Sequence, residues 1–234
     1  MKRTIMVFAP HPDDETIACG GMIAQATASG DEVSIVILAD GRYSHKSRFR
    51  IWPNPRPDKI RAIRKQEAIK AADVLGIKME NIHFMDFEDR TLVQHMDEAM
   101  EVVKLHLTKW KPTEVYVPCA GDAHADHAAT NEIVLMAVSE LGLSMDLYEY
   151  IVWQEDAIEP GDGFDQPNAV TLDITGIKEI KMQALKMYRS QVETRFPSHI
   201  WPVLDDAFLS SLNRGVEHFL KFRIENGRKL ELQV

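Results

Sequence analysis

Thr4-Ile5-Met6-Val7-Phe8-Ala9-Pro10-His11-Pro12-Asp13-Asp14-Glu15-Thr16 begins as an apolar run and ends in an acidic turn. The first six residues have the length of one buried strand, and the two prolines then stop it. One imidazole and three carboxyl groups are crowded into residues 11–15. Buried, that cluster is costly to desolvate; a divalent cation resolves the cost, because the charges become ligands. A plainer reading of the same stretch is a helix start with Asp14 as its cap.

Moving outward, strand and helix signals alternate. A helix is expected over 22–29, closed by Gly30, and a second strand over 32–39. Residues 40–58 carry Pro53, Pro55 and Pro57 and read as a surface loop, a candidate lid. Further helices are expected over 59–75, 92–110, 127–141 and 177–188, and further strands over 81–85, 114–119 and 147–153. Two last strands, 219–224 and 229–234, flank the hairpin dipeptide Asn226-Gly227. This alternation implies right-handed crossovers and a three-layer, Rossmann-like α/β sandwich. The expected sheet is mostly parallel, of order 3-2-1-4-5, with a C-terminal β appendage, and residues 1–234 form one domain.

Gly121-Asp122-Ala123-His124-Ala125-Asp126-His127 follows the fourth expected strand directly. His124 and His127 are spaced to share a helix face. In a 3-2-1-4-5 sheet, strands one and four adjoin at the topological switch point, so both clusters face the crevice where such sheets bind ligands. That convergence favours a metal site over two coincidental motifs. Spacing alone leaves either Asp13 or Asp14 as the carboxylate ligand. It also leaves room for a non-haem Fe(II) oxygenase built on His11, Asp13 and His127, or a metal-containing sugar-binding protein without turnover. A nucleotide-binding module is suggested only by Cys19-Gly20-Gly21, which lacks the G-x-G-x-x-G pattern.

His11-Pro12-Asp13-Asp14-Glu15 and His124-Ala125-Asp126-His127 resemble the two hallmark motifs of the LmbE-like (PIG-L) family of metal-dependent N-acetylglucosaminyl deacetylases, with Ala125 in place of a proline. Arg64-Lys65-Gln66-Glu67 resembles the family's Arg-x-x-Glu helix. Asp89-Arg90-Thr91-Leu92 resembles its Asp-Gly-x-Leu stretch, with Arg90 replacing the glycine, and Tyr188-Arg189-Ser190-Gln191 its late Tyr-x-Ser-Gln signature. The resemblance implies Zn2+, or Fe2+ in some members, on His11, Asp14 and His127. It implies Asp13 as general base and His124, protonated and held by Asp126, as the electrophilic partner. It further implies a small-molecule amino-sugar conjugate as substrate, acetate and a free amine as products, and a homo-oligomer, trimer or hexamer. Arg64, Asp89 and Arg42 are the candidate substrate contacts, with Tyr43, His45 and Arg48 beside Arg42 in the covering loop. Glu15 is read as orienting the motif, and Trp201 as a sugar-stacking platform.

The 234 residues carry a net charge of −9 and 45% hydrophobic side chains, enough for a real core. Lys and Arg are scattered, so neither nucleic acid nor an anionic membrane is an expected partner. The apolar N-terminal run is too short for a leader, and no stretch spans a bilayer. Cys19 and Cys119 form no CxxC pair and are expected as reduced, buried fillers in a cytoplasmic protein.

Overall fold

The computed structural model describes residues 2–44, 55–153, 167–195 and 202–230. β1 (Thr4–Ala9) and β2 (Glu32–Ala39) occupy the expected residues. Strand alternation divides them between two cores. Ile5, Val7, Ala9, Val33, Ile35 and Ile37 pack on one face, and Met6, Phe8, Val36 and Leu38 on the other. The first face is covered by α1 (Asp14–Ala28), α2 (Pro57–Val74) and α5 (Lys178–Leu185), the second by α3 (Met96–Trp110) and α4 (Ala125–Glu140).

β3 (Ile82–Phe87), β4 (Glu114–Pro118) and β5 (Met145–Tyr150) complete the parallel part of the sheet. The order among the described residues is β3-β2-β1-β4-β5-β7-β6, so the expected 3-2-1-4-5 core is present. The C-terminal strands extend this same sheet. β7 (Val216–Glu225) pairs antiparallel with β5, β6 (Ala169–Asp173) and β8 (Arg228–Leu230). Asn226 and Gly227 turn the β7–β8 hairpin at φ 48° and 76°, as a type I′ turn requires. The short strand β6 was not expected; its ladder comes wholly from pairing with β7.

Helix α1 begins at Asp14, well before the expected start at Met22. Gly20 and Gly21 weaken the helical signal, but close packing requires them. A Cβ on Gly21 would stand 2.6 Å from the Ile174 side chain, and one on Gly20 3.0 Å from Lys181. Glu217 accepts hydrogen bonds from the Gly21 and Met22 N–H groups at 2.7 and 2.8 Å and from Lys181 Nζ at 2.7 Å. Cys19-Gly20-Gly21 is therefore a helix-packing device. Cys19 is buried, whereas Cys119 is only half-buried, and both are free thiols. No helix among the described residues is long and apolar enough to cross a membrane.

Candidate metal centre

The β1–α1 turn and the β4–α4 turn lie side by side because β1 pairs with β4. They bring together His11, Asp13, Asp14, His124, Asp126 and His127; all but the half-exposed His124 are buried. Asp14 Oδ2 is 3.3 Å from His11 Nδ1 and 3.2 Å from His127 Nε2, and it also accepts the His11 backbone N–H at 2.9 Å. Nitrogens of His11, His124 and His127 lie within 4.8 Å of one another, and a second such group joins His11 to Asp89 and Asp126.

This arrangement calls for positive charge. His127 is 0% exposed, yet neither ring nitrogen makes a well-directed hydrogen bond. Burial disfavours its charged form, but Asp14 and Asp122 override that and push its pKa up to about 9. Burial likewise opposes His11 protonation, and Asp126, Asp14 and Asp89 override it. Burial opposes ionisation of Asp14, yet the His127 and His11 rings hold it below the usual carboxylate range. Two imidazoles driven to protonate around a shared carboxylate form a donor set suited to a divalent cation.

Asp13 faces elsewhere. Its φ of 124° lies where side chains are strained, and as the residue preceding α1 it makes no side-chain cap. Its N–H donates to Glu15 Oε2 at 3.1 Å, and Arg64 Nη2 donates to its Oδ1 at 2.8 Å. Arg64 Nη2 also donates to Pro12 O, and Nη1 to Gly41 O at 2.9 Å. Gly41, at φ 62°, admits that guanidinium: a Cβ there would meet Nη1 at 2.1 Å. Burial holds the Asp13 carboxyl well above its ordinary range, with Arg64 opposing.

Several sequence expectations change. Asp126 does not hold the His124 ring with its carboxylate. Asp126 Oδ2 accepts from the Arg90 N–H at 2.6 Å and lies 3.1 Å from His11 Nε2, while Oδ1 accepts from the Leu92 N–H at 3.3 Å. Its link to His124 is the backbone N–H, which donates to Nδ1 at 3.2 Å and so leaves Nε2 as the proton-bearing nitrogen of a neutral ring. Burial, with His11 and His127 adding to it, lowers the His124 pKa, against the protonated state expected. Arg42 does not border the cleft: it pairs with Asp40 at 2.6 Å and Glu88 at 3.3 Å. Arg64 does border it, but with its Nη groups committed as above. Asp89 borders it too, 3.1 Å from His11 Nε2, with the Tyr43 N–H on its other oxygen at 2.8 Å. His45, Arg48, Trp201 and most of the expected lid lie outside the described residues.

Other groups were not assigned from sequence. Asp122 Oδ2 lies 3.2 Å from His127 Nδ1, an ion-pair contact, and accepts the Val152 and Trp153 N–H groups at 2.9 and 3.0 Å. The late signature latches onto the earlier motifs. Tyr188 OH donates to Glu15, and Ser190 donates to Glu67 from its N–H at 2.9 Å and its hydroxyl at 2.6 Å. Glu15 thus orients the motif, as expected. Trp153, stacked on Phe208 at 5.1 Å, walls the cleft with Gln191, Val203 and Leu204. The cleft holds ≈ 180 Å³ and opens to solvent.

A family model, PIG-L, described as GlcNAc-PI de-N-acetylase, matches residues 6–138. The chain is similar to diacetylchitobiose deacetylase of Thermococcus kodakarensis, 28% identical over 206 residues that cover 85% of this chain and 72% of that protein. Its fold is similar to that of N,N'-diacetylchitobiose deacetylase from Pyrococcus horikoshii, with TM-score 0.69, 23% identity, and coverage of 96% of this chain and 84% of that one. It is also similar to that of a 4-carboxy-2-hydroxymuconate hydratase from Pseudomonas putida, with TM-score 0.70, 16% identity and full coverage of both chains. The two solved structures attest the fold alone.

Proposed function

The chain belongs to the PIG-L (GlcNAc-PI de-N-acetylase) family, and on that premise we propose that it is a metal-dependent N-deacetylase of small N-acetylglucosamine-type conjugates. Because a hydratase shares the fold, the reaction class rests on the family and the site, not on the architecture. The observation that carries it is the placing of Asp14 Oδ2 within 3.3 Å of both His11 Nδ1 and His127 Nε2, while Asp13 turns away to Arg64. That division also weighs against the oxygenase reading, which needs Asp13 in the ligand set.

His11, Asp14 and His127 would hold the cation, with zinc as the first candidate. When bound, such an ion supplies a water that ionises near neutral pH and polarises a carbonyl oxygen. Asp13 takes the water's proton as its oxygen forms a bond to the acetamide carbon. His124, donating from Nε2–H, stabilises the oxyanion. The C–N bond then breaks, the amine nitrogen receives the proton from Asp13, and acetate and free amine leave. Trp153 offers an apolar face to the sugar.

Amine release from N-acetylglucosamine and N,N'-diacetylchitobiose, lost on chelation and restored by added zinc or iron(II), is the expected result. Release of no amine with any divalent metal would overturn the reading.

A further inference from the structure

We propose that Arg90 is a specificity-determining residue that selects amino-sugar conjugates carrying an anionic group, carboxylate or phosphate, beyond the sugar. The inference rests on the deacetylase reading above. Arg90 stands where the family pattern has glycine, and its φ of 69° is the left-handed conformation that favours glycine. Its backbone N–H donates to Asp126 Oδ2 at 2.6 Å, a contact that any residue would supply. The turn therefore needs no side chain here, yet it carries an exposed arginine, and Arg90 is among the residues that line the cleft with His11 and Asp89.

That guanidinium is held but not neutralised. Nη2 donates to Tyr43 O at 2.8 Å, and the group sits 5.7 Å over the Tyr43 ring. Among the described residues no carboxylate pairs with it. The neighbouring arginines differ: Arg64 is bound to Asp13 at 2.8 Å, and Arg42 to Asp40 at 2.6 Å. Glu88, the adjacent exposed acid, is itself engaged by Arg42 at 3.3 Å and by the Tyr43 hydroxyl at 2.8 Å. Among the described residues its one side-chain hydrogen bond uses Nη2 and leaves Nη1 and Nε for a ligand. A planar guanidinium so placed matches the paired oxygens of a carboxylate or phosphate.

Three N-acetylglucosaminides test this on the metal-loaded protein: the carboxymethyl glycoside, its neutral carboxamide, and the 2-phosphoethyl glycoside. In the wild type, kcat/KM for at least one anionic probe should exceed that for the carboxamide by about tenfold or more. Whichever anion wins identifies the group recognised. Arg90→Gly, which suits the backbone at this position, should bring that ratio down towards one, and Arg90→Lys should retain part of it. Equal anionic-to-neutral ratios in wild type and Arg90→Gly would overturn the inference while leaving the deacetylase reading intact. Release of amine from none of the three probes by the wild type would overturn that reading, and this inference with it.

Discussion

At Asp13 the chain accepts a strained backbone, of a kind that typically costs about 1–3 kcal/mol, and uses it to turn one of two adjacent carboxylates away from the imidazoles. Arg64 holds it there and opposes the rise in its pKa that burial causes. Removing the guanidinium in Arg64→Gln lets the Asp13 pKa climb further, so the base stays protonated to higher pH. The acid limb of the kcat/KM profile should then move up by about one pH unit or more. An unmoved limb would show that Arg64 does not tune the base. His11, Asp14 and His127 were legible as candidates because each brings ligand chemistry directly after a strand. The carboxylates at His11 Nε2 were not: Asp89 and Asp126 stand far along the chain and reach it only through the fold. The pairing of Arg42 with Asp40 and Glu88 was not legible either, because an arginine in a loop gives no sign of which local acid engages it.

The elements were legible wherever apolar periodicity and glycine stops agreed. Alternation implied parallel strands and crossovers; the order of β1 to β5, on which the meeting of the two motifs depends, was an expectation that the sheet bears out. The start of α1 and the strand β6 escaped, the first masked by Gly20 and Gly21, the second too short to announce itself without β7. One consequence of packing at the β3 edge is open to measurement. His83 on β3 lies against His106 and Trp110 of α3, with ring centroids 4.9 and 5.8 Å away, and its Nε2 is buried without a hydrogen bond. Burial, aided by His106 and Lys109, lowers its pKa to about 4. A histidine depressed in the fold binds fewer protons there than when unfolded, so its contribution to stability is complete above its ordinary pKa and fades as pH falls towards 4. Allowing for solvent screening, His83→Gln should recover on the order of 1–2 kcal/mol of the stability lost between neutral pH and that point. Urea titrations at both pH values check it; parallel losses in wild type and variant would refute it.

Across the whole molecule, one sheet carries a core on each face and gathers its chemistry at one edge of the β1–β4 junction. Segments far apart in sequence converge there, so a bound cation would also tie the fold together. Two neighbouring aspartates divide the labour there in a way that spacing could not decide and the geometry favours: Asp14 with the imidazoles, Asp13 with Arg64. The most direct test is metal content and amine release measured together on wild type, Asp13→Asn and Asp14→Asn. Asp13→Asn should keep its metal and lose turnover by orders of magnitude, while Asp14→Asn should lose both. An Asp13→Asn protein that cannot retain metal, beside an Asp14→Asn protein that can, would contradict that division.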